Sequence, residues 1–146
     1  MRFLDTNILI RAITNDDPVK AQPSRALLYR VQAGLERLVT TESVIAEAVY
    51  VLSSPRQYHL PPVDIVTRLA PIIRLPGVTL PRKRVLLRAL VLYQTYPRFD
   101  VEDALAVATM ERQGVTEIVS YDTDFDGIPG IIRLEPGSMT NDTTPI

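Results

Sequence analysis

The amino-acid sequence predicts an α/β domain whose helices pack around a parallel sheet. Three observations support this fold class. Short apolar segments rich in β-branched residues alternate along the chain with longer segments whose apolar residues recur at helical spacing. Hydrophobic residues make up 46% of the chain, which is typical of a protein with a packed core. The length of 146 residues suits one domain and is too short for two.

The first half of the chain begins with a short apolar segment and continues mainly with helical patterns. In this half we predict a strand at 2–4, helices from 8 to about 14 and over 24–36, a strand at 38–40, and helices over 44–52 and from 62 to about 75. Turn-forming or helix-capping residues separate these elements, such as Asp5-Thr6-Asn7 before the first helix.

The second half of the chain continues the alternation of strands and helices. Its pattern predicts a strand at 78–80, helices over 82–93 and 101–112, and strands at 117–120 and 131–134. The last helix has the clearest boundaries, because Asp100 precedes it as an N-cap residue and Gly114 follows it in the C′ position. After Pro136 the composition becomes small and polar. We therefore predict one domain over residues 1–135 and a flexible C-terminal tail over residues 136–146.

Composition excludes several classes of protein. No apolar run approaches the roughly 18 residues of a membrane-spanning helix, and the N-terminus lacks the pattern of a secretory signal, so we expect a soluble protein. The absence of cysteine excludes disulfides and thiolate metal sites, and it fits a cytoplasmic location. The net charge of −1 argues against non-specific coating of nucleic acid but permits a local basic patch.

Acidic residues stand where the predicted strands end or the following helices begin. Asp5 directly follows the first strand, and Asp122 follows the strand that ends at Ser120. Glu47 lies in the first turns of the helix after the second strand, and Asp103 lies in the first turn of the last helix. Functional sites in parallel sheets form outside the carboxyl ends of the strands. We therefore expect these four acids to converge on one edge of the sheet.

Each acid also has a structural interpretation when it is considered alone. Glu47 is the only charged residue between Ser43 and Leu52, so we expect a largely buried carboxylate that needs a cation, hydrogen-bond donors or a proton. The alternative is a core ion pair with an arginine. Asp5 could be only a helix cap. Acids such as Asp122 are ordinary in a loop, although this one lacks the spacing of an EF-hand.

Taken together, the four carboxylates indicate a metal site. Two carboxylates about 4 Å apart repel each other by roughly 4 kcal/mol at an effective dielectric constant near 20. A cluster of four therefore requires a divalent cation or bound protons. Oxygen ligands without cysteine or a histidine cluster suit Mg²⁺ or Mn²⁺ better than Zn²⁺. Such ions bridge acids to phosphate oxygens and activate water in phosphodiester hydrolysis.

Other charged residues are weaker candidates. His59 is the only histidine, and we interpret it as incidental, which argues against histidine-based acid–base catalysis. The basic run Arg82-Lys83-Arg84 is either a solvated helix start or a phosphate-binding rim. For the third acid of the site we predict Asp103 as the metal ligand and Asp100 as the helix cap.

Four segments of the chain carry a resemblance to a known family. They are FLDTNILI with Asp5, TTESVIAEAVYVLS with Glu47, FDVEDALAVATMERQG with Asp103, and EIVSYDTDFDGI with Asp122. In this order the sequence resembles the PIN-domain family, in particular its VapC-type ribonuclease toxins of toxin–antitoxin pairs. The resemblance runs from Arg2 to about Leu134.

The resemblance implies a fold, an activity and partners. The fold is a Rossmann-like three-layer α/β/α sandwich, and the activity is RNA cleavage with Mg²⁺ or Mn²⁺. The implied partners are a second copy of the chain in a homodimer and a small antitoxin protein whose tail occupies the active-site groove. The implied metal ligands and catalytic residues are Asp5, Glu47, Asp103 and Asp122. The implied accessory residues are Thr6, Asn7, Ser120, Asp124 and Asp100.

Three alternatives remain at the level of sequence. A haloacid-dehalogenase-type phosphatase also has an Asp after its first strand, but it needs a second Asp two positions later, where this chain has Asn7. A catalytically silent PIN-like module would bind RNA or a protein without cleaving. An RNA-processing nuclease would share the chemistry without a toxin role.

Overall fold

The computed structural model describes residues 1–139, and its alternating elements agree with the predicted α/β class. The helices are α1 (Thr6–Thr14), α2 (Pro18–Gln32), α3 (Glu42–Ser53), α4 (Pro62–Arg74), α5 (Lys83–Thr95) and α6 (Val101–Gln113). The strands are β1 (Arg2–Phe3), β2 (Leu38–Val39), β3 (Val78–Thr79), β4 (Glu117–Val119) and β5 (Ile132–Leu134). Short 3-10 turns follow β4 and β5 at Thr123–Phe125 and Pro136–Ser138.

All strand pairing within residues 1–139 is parallel, but the hydrogen bonds form two separate ladders. One ladder has the order β1-β2-β3, and the other joins β4 to β5. The sequence pattern had suggested a single sheet. Because each strand has only two or three residues, each ladder has few hydrogen bonds. The helices therefore contribute most of the packing.

The predicted start of the second helix was wrong by one and a half turns. We expected a helix over 24–36, whereas α2 spans Pro18–Gln32. Asp17 caps it by accepting a hydrogen bond from the backbone N–H of Lys20 at 3.2 Å, and Pro18 occupies the first position, where proline is favoured. The prediction treated Asp17 and Pro18 as part of the turn that ends the first helix, and Pro23 lies inside α2, because a proline within a helix removes one backbone hydrogen bond but does not always end it.

Helices α3, α4 and α5 supply much of the core. Their fully buried side chains are Ile45, Val49, Leu52, Ile65, Leu69, Ile73, Leu86 and Leu90. Leu4, at the end of β1, and Leu9, in α1, are also buried and join the same cluster. Truncating one such leucine to alanine typically costs about 2–5 kcal/mol. The segments that contain Asp5 and Glu47 are therefore anchored to the hydrophobic core.

One face of the second ladder presents two apolar side chains to solvent. Val119 and Ile132 lie on this face together with the exposed Glu117, since the register pairs Glu117 with Ile132 and Val119 with Leu134. The exposed fractions are 52% for Val119 and 55% for Ile132. Apolar side chains that cluster at a surface mark interaction sites more often than isolated ones do.

Within residues 1–139, no helix combines the length and apolar character needed to cross a membrane.

The turn Pro136–Ser138 lies just beyond the predicted domain boundary at residue 135. Residues 140–146 of the predicted flexible tail lie outside the described part of the chain.

Candidate metal centre

Asp5 stands at the junction between β1 and α1. It occupies the N-cap position of α1 in an extended conformation, with φ −95° and ψ 162°, but its side chain accepts no capping hydrogen bond. Asp5 is also exposed, whereas Leu4 before it and Thr6 after it are buried. The interpretation of Asp5 as a simple cap therefore finds no support, and its carboxylate is available for another ligand.

Thr6 connects the Asp5 segment to helix α3. Its buried hydroxyl Oγ1 lies 2.9 Å from Oε2 of Glu47 and 3.3 Å from the carbonyl oxygen of Val44. A hydroxyl that donates to a carboxylate fixes the orientation of that carboxylate. Thr6 therefore positions Glu47 next to the start of α1, and its supporting role at a metal site remains a prediction.

The predicted burial of Glu47 was wrong. Ser43, Glu47 and Tyr50 are spaced by four and three residues and form an exposed stripe on α3, opposite the buried face of the helix. Because apolar residues flank Glu47 in the sequence, the exposed stripe was not recognised from the sequence alone. Among the described residues Glu47 forms no salt bridge, so the core ion-pair alternative is also unsupported.

Three acids form a compact cluster where α6 begins and β4 ends. One carboxylate oxygen from each of Asp103, Asp122 and Asp124 lies within 4.8 Å of the others. The sequence analysis gave Asp124 only an accessory role, whereas its carboxylate is a full member of this cluster. Asp5 and Glu47 are not part of this group and instead line a cavity together with Thr6 and Asn7.

Short local hydrogen bonds fix the loop that carries Asp122 and Asp124. The backbone N–H of Asp124 donates to Oδ1 of Asp122 at 2.9 Å, so Asp122 caps the turn that follows it. The hydroxyl oxygen of Ser120 accepts from the backbone N–H of Asp122 at 3.0 Å. Ser120 thus contacts the backbone of the acidic loop, and its accessory role at the metal remains a prediction.

Two arginines that the sequence analysis did not single out also hold this loop. Arg98 donates to the carbonyl oxygens of Asp124 and Asp126, each at 2.7 Å. Arg133 donates to the carboxylate of Asp126 at 2.7 Å and to the carbonyl oxygen of Ser120 at 3.0 Å. The sequence contains no signal for these roles, because the acceptors are mostly backbone carbonyls far away in the chain.

Asp100 and Asp103 form a reciprocal cap at the start of α6. Oδ1 of Asp100 accepts from the backbone N–H of Asp103 at 2.8 Å, and Oδ2 of Asp103 accepts from the backbone N–H of Asp100 at 3.2 Å. The sequence analysis predicted the cap role of Asp100 but assigned Asp103 only to the metal. Asp103 therefore both caps the helix and belongs to the acidic cluster.

The acidic cluster changes the proton affinity of Asp103. Burial and, to a smaller extent, the negative charges of Asp100 and Asp122 together raise the pKa of Asp103 to about 6, although the backbone hydrogen bond at Asp100 opposes the change. No lysine or arginine forms a salt bridge with Asp5, Glu47, Asp100, Asp103, Asp122 or Asp124 among the described residues. The cluster lacks a neutralising side chain.

The raised pKa of Asp103 leads to a testable pH dependence of stability without metal. Between pH 3.8 and about 6 the native carboxyl holds its proton better than the unfolded one, so this group lowers stability as the pH rises through that window. We expect Asp103→Asn to stabilise the EDTA-treated protein at pH 7.5 by roughly 1 kcal/mol, allowing for solvent screening.

Urea unfolding at two pH values tests this prediction. At pH 4 the two proteins are expected to have nearly equal free energies of unfolding, because the wild-type carboxyl is then protonated in the folded state. Asp64→Asn, in the first turn of α4, provides the control. A destabilised Asp103→Asn protein at pH 7.5 would contradict the prediction.

Two cations of the predicted basic rim are engaged within the fold. The guanidinium of Arg82 donates to both carboxylate oxygens of Glu42, at 2.9 and 3.0 Å. The ammonium of Lys83 donates to two backbone carbonyls, and its burial lowers its pKa. Arg84 is exposed. A role of these three residues in RNA binding remains a prediction, with Arg84 the most accessible of them.

Two cavities differ in their chemistry. The cavity lined by Asp5 and Glu47 has a volume of about 320 Å³. A larger groove of about 520 Å³ lies between α1, α2 and α4, and no acidic side chain lines it. The smaller cavity is therefore the one that is lined by predicted metal ligands.

Comparisons with known proteins agree with the motif resemblance. A model of the PIN domain matches residues 2–131, which include all four motif segments. The chain is similar to a VapC ribonuclease of Mycobacterium bovis and to the ribonuclease VapC13 of Mycobacterium tuberculosis. Each is 34% identical over 140 residues, which cover 92% of this chain and 99% of the relative. The chain therefore belongs to the PIN-domain family.

Proposed function

We propose that this protein is a metal-dependent ribonuclease and the toxin of a VapC-type toxin–antitoxin pair. The observation that carries the proposal is the set of site acids that, within residues 1–139, form no salt bridge with a lysine or arginine, and three of these acids converge within 4.8 Å. A haloacid-dehalogenase-type phosphatase is disfavoured, because Asn7 stands where that chemistry needs an aspartate.

The donor set fits a hard divalent cation. All candidate ligands are carboxylate oxygens, which suit Mg²⁺ or Mn²⁺. Asp103, Asp122 and Asp124 would hold the ion from one side, with Asp5 and Glu47 as the further ligands. When bound, the ion supplies positive charge to the scissile phosphate and activates water for attack.

The protein's own contribution is to fix the carboxylates before substrate binds. The hydroxyl of Thr6 orients Glu47, and the backbone N–H of Asp100 holds one oxygen of Asp103. Arg98 holds the loop of Asp122 and Asp124 through two carbonyl oxygens. Ligands held in this way lose little entropy when the ion binds, and they keep their geometry during the reaction.

A nuclease assay with and without chelator tests the proposal. We expect the purified protein to cleave RNA in Mg²⁺ or Mn²⁺, to lose this activity completely in EDTA, and to regain it when excess metal is added. Gel electrophoresis of end-labelled RNA measures cleavage, and the Asp5→Asn variant controls for contaminating nucleases. Cleavage that persists in EDTA, or that the variant retains, would contradict the proposal.

The toxin role and the partners rest mainly on the relatives. Both similar proteins are named as VapC ribonucleases, and we infer a cytoplasmic toxin restrained by a small antitoxin. Slowed bacterial growth on expression, relieved by a co-expressed small neighbouring gene, would support this role. Active protein without any effect on growth would favour an RNA-processing nuclease, and inactive protein that binds RNA would favour the silent module.

Homodimerisation is part of the same proposal. The exposed apolar side chains of Val119 and Ile132 on the second ladder would be covered by a second copy of the chain. Burial of such side chains stabilises an association by the hydrophobic effect. Sedimentation equilibrium measures the mass in solution, and a monomer at micromolar concentration would contradict this part of the proposal.

A further inference from the structure

The cavity beside Asp5 and Glu47 extends to residues that the metal centre does not use. Arg11 of α1 and the loop residues Gln57 and Tyr58 line its other end. Its volume of about 320 Å³ is near the lower limit of about 300 Å³ for small-molecule sites. The cavity therefore has room for one small polar group such as a nucleotide, rather than for a folded segment.

Asp16 organises this end of the cavity. Its carboxylate accepts hydrogen bonds from Nη1 of Arg11 at 2.9 Å and from the hydroxyl of Thr14 at 2.9 Å, and it also accepts one from the hydroxyl of Tyr58. These donors lower the pKa of Asp16 to about 2, with the Tyr58 hydroxyl contributing most. Asp16 therefore stays ionised at working pH and ties the end of α1 to the α3–α4 loop.

The α3–α4 loop is folded into a defined shape that presents Gln57 and Tyr58. The carbonyl oxygen of Ser54 accepts hydrogen bonds from the backbone N–H groups of Gln57 and His59, both at 3.0 Å. His59 has a φ of 47°, in the left-handed region that is unfavourable for residues other than glycine. The position of its neighbour Tyr58 is therefore fixed by the folded loop backbone as well as by the hydrogen bond of its hydroxyl to Asp16.

Arg11 and Tyr58 retain unused binding capacity. Only Nη1 of Arg11 has a partner within residues 1–139, so Nε and Nη2 remain available to an anion. The hydroxyl of Tyr58 is engaged and its ring packs partly against the core, so the part of the ring that lines the cavity is the surface left for contact, and Gln57 is exposed. A cationic fork, an aromatic ring and an amide are the groups that recognise phosphate and an unpaired base.

We propose that Arg11, Gln57 and Tyr58 form the binding subsite for one RNA nucleotide next to the scissile phosphate. This inference rests on the proposed ribonuclease function. Arg11 binds the neighbouring phosphate, the ring of Tyr58 packs against the base, and the amide of Gln57 contacts the base edge. In this proposal Asp5 and Glu47, at the other end of the cavity, bind the metal ion. The same cavity therefore has one end that binds a cation and one end that binds an anion.

Kinetics of RNA cleavage test the subsite with matched tyrosine variants. Stacking of a base on an aromatic side chain contributes about 1–3 kcal/mol, so Tyr58→Ala is expected to raise KM by about 5- to 150-fold with little change in kcat. Tyr58→Phe keeps the ring and should restore most of the affinity. Tyr50→Ala removes a tyrosine that is 71% exposed on α3 and lies outside the cavity, and it should behave like wild type.

Matched arginine variants test the phosphate contact. Arg11→Gln is expected to raise KM by about 10-fold or more and to weaken the salt dependence of binding, because one phosphate contact is lost. Arg88→Gln, which breaks an exposed ion pair with Glu111, is the control. Thermal melts of each variant separate loss of binding from loss of folding.

A binding measurement distinguishes this inference from the proposed function. Fluorescence anisotropy with a labelled single-stranded RNA hexamer, in Ca²⁺ and with uncleaved RNA verified on a gel, should show weaker binding for Tyr58→Ala and Arg11→Gln. If wild-type protein cleaves RNA in Mg²⁺ and these variants keep wild-type KM and affinity, the subsite is refuted while the ribonuclease stands. If wild-type protein neither binds nor cleaves RNA, the proposed function itself is refuted.

Discussion

Replacement of Asp5 by asparagine is expected to reduce metal-dependent RNA cleavage by about 100-fold or more while the protein stays folded. The change removes one negative ligand from the proposed metal centre but preserves the shape of the side chain. Asparagine is also an accepted N-cap residue, so α1 should begin at the same place. Initial rates of cleavage at saturating Mg²⁺, together with the melting temperature, measure both effects.

A control with the same chemical change identifies the cause. Asp64→Asn lies in the first turn of α4, outside the cavity that Asp5 lines, and should cleave RNA at the wild-type rate. If Asp5→Asn cleaved RNA as fast as this control, Asp5 would not be a metal ligand.

The second large effect is expected at Asp103, compared with its capping partner Asp100. Asp103→Asn should weaken Mn²⁺ binding by about 10- to 100-fold or more and remove most of the cleavage activity, because its carboxylate belongs to the cluster with Asp122 and Asp124. Asp100→Ala should instead cost about 1 kcal/mol of stability through the lost cap and leave substantial cleavage.

Isothermal titration with Mn²⁺ assigns the two roles directly. Asp100→Asn provides the matched comparison, since it makes the same chemical change three residues away on the same helix terminus. Loss of the ion from Asp100→Asn, with retention by Asp103→Asn, would reverse the assignment.

Local sequence signals predicted the helix boundaries well where capping residues stand at both ends. Helix α6 was expected over 101–112 and spans Val101–Gln113, because Asp100 and Gly114 satisfy its terminal backbone groups. For α2 the same signal was present in Asp17 and Pro18, but these residues were interpreted as the end of the preceding helix. The misassigned boundary thus reflects two possible interpretations of one turn and no missing information.

The site was predictable in its residue types but not in its geometry. The convergence of Asp103 with Asp122 follows from the predicted order of strands and helices. The exposed position of Glu47 depends on which surface of α3 packs against the core, and the contacts of Arg98 with the acidic loop depend on how the connection between α5 and α6 lies against that loop. Such tertiary packing leaves no local pattern in the sequence, so these features required the structure.

The two lysines of the chain differ in their chemical accessibility. Lys20 is exposed, whereas the ammonium of Lys83 donates to the carbonyl oxygens of Leu75 at 2.8 Å and Val78 at 2.6 Å. Amine-directed reagents will therefore acylate Lys20 readily in the folded protein, whereas Lys83 will react much more slowly until the connection between α4 and α5 opens. The acylation rate of Lys83, measured by peptide mass spectrometry, therefore reports the local unfolding of the connection between α4 and α5.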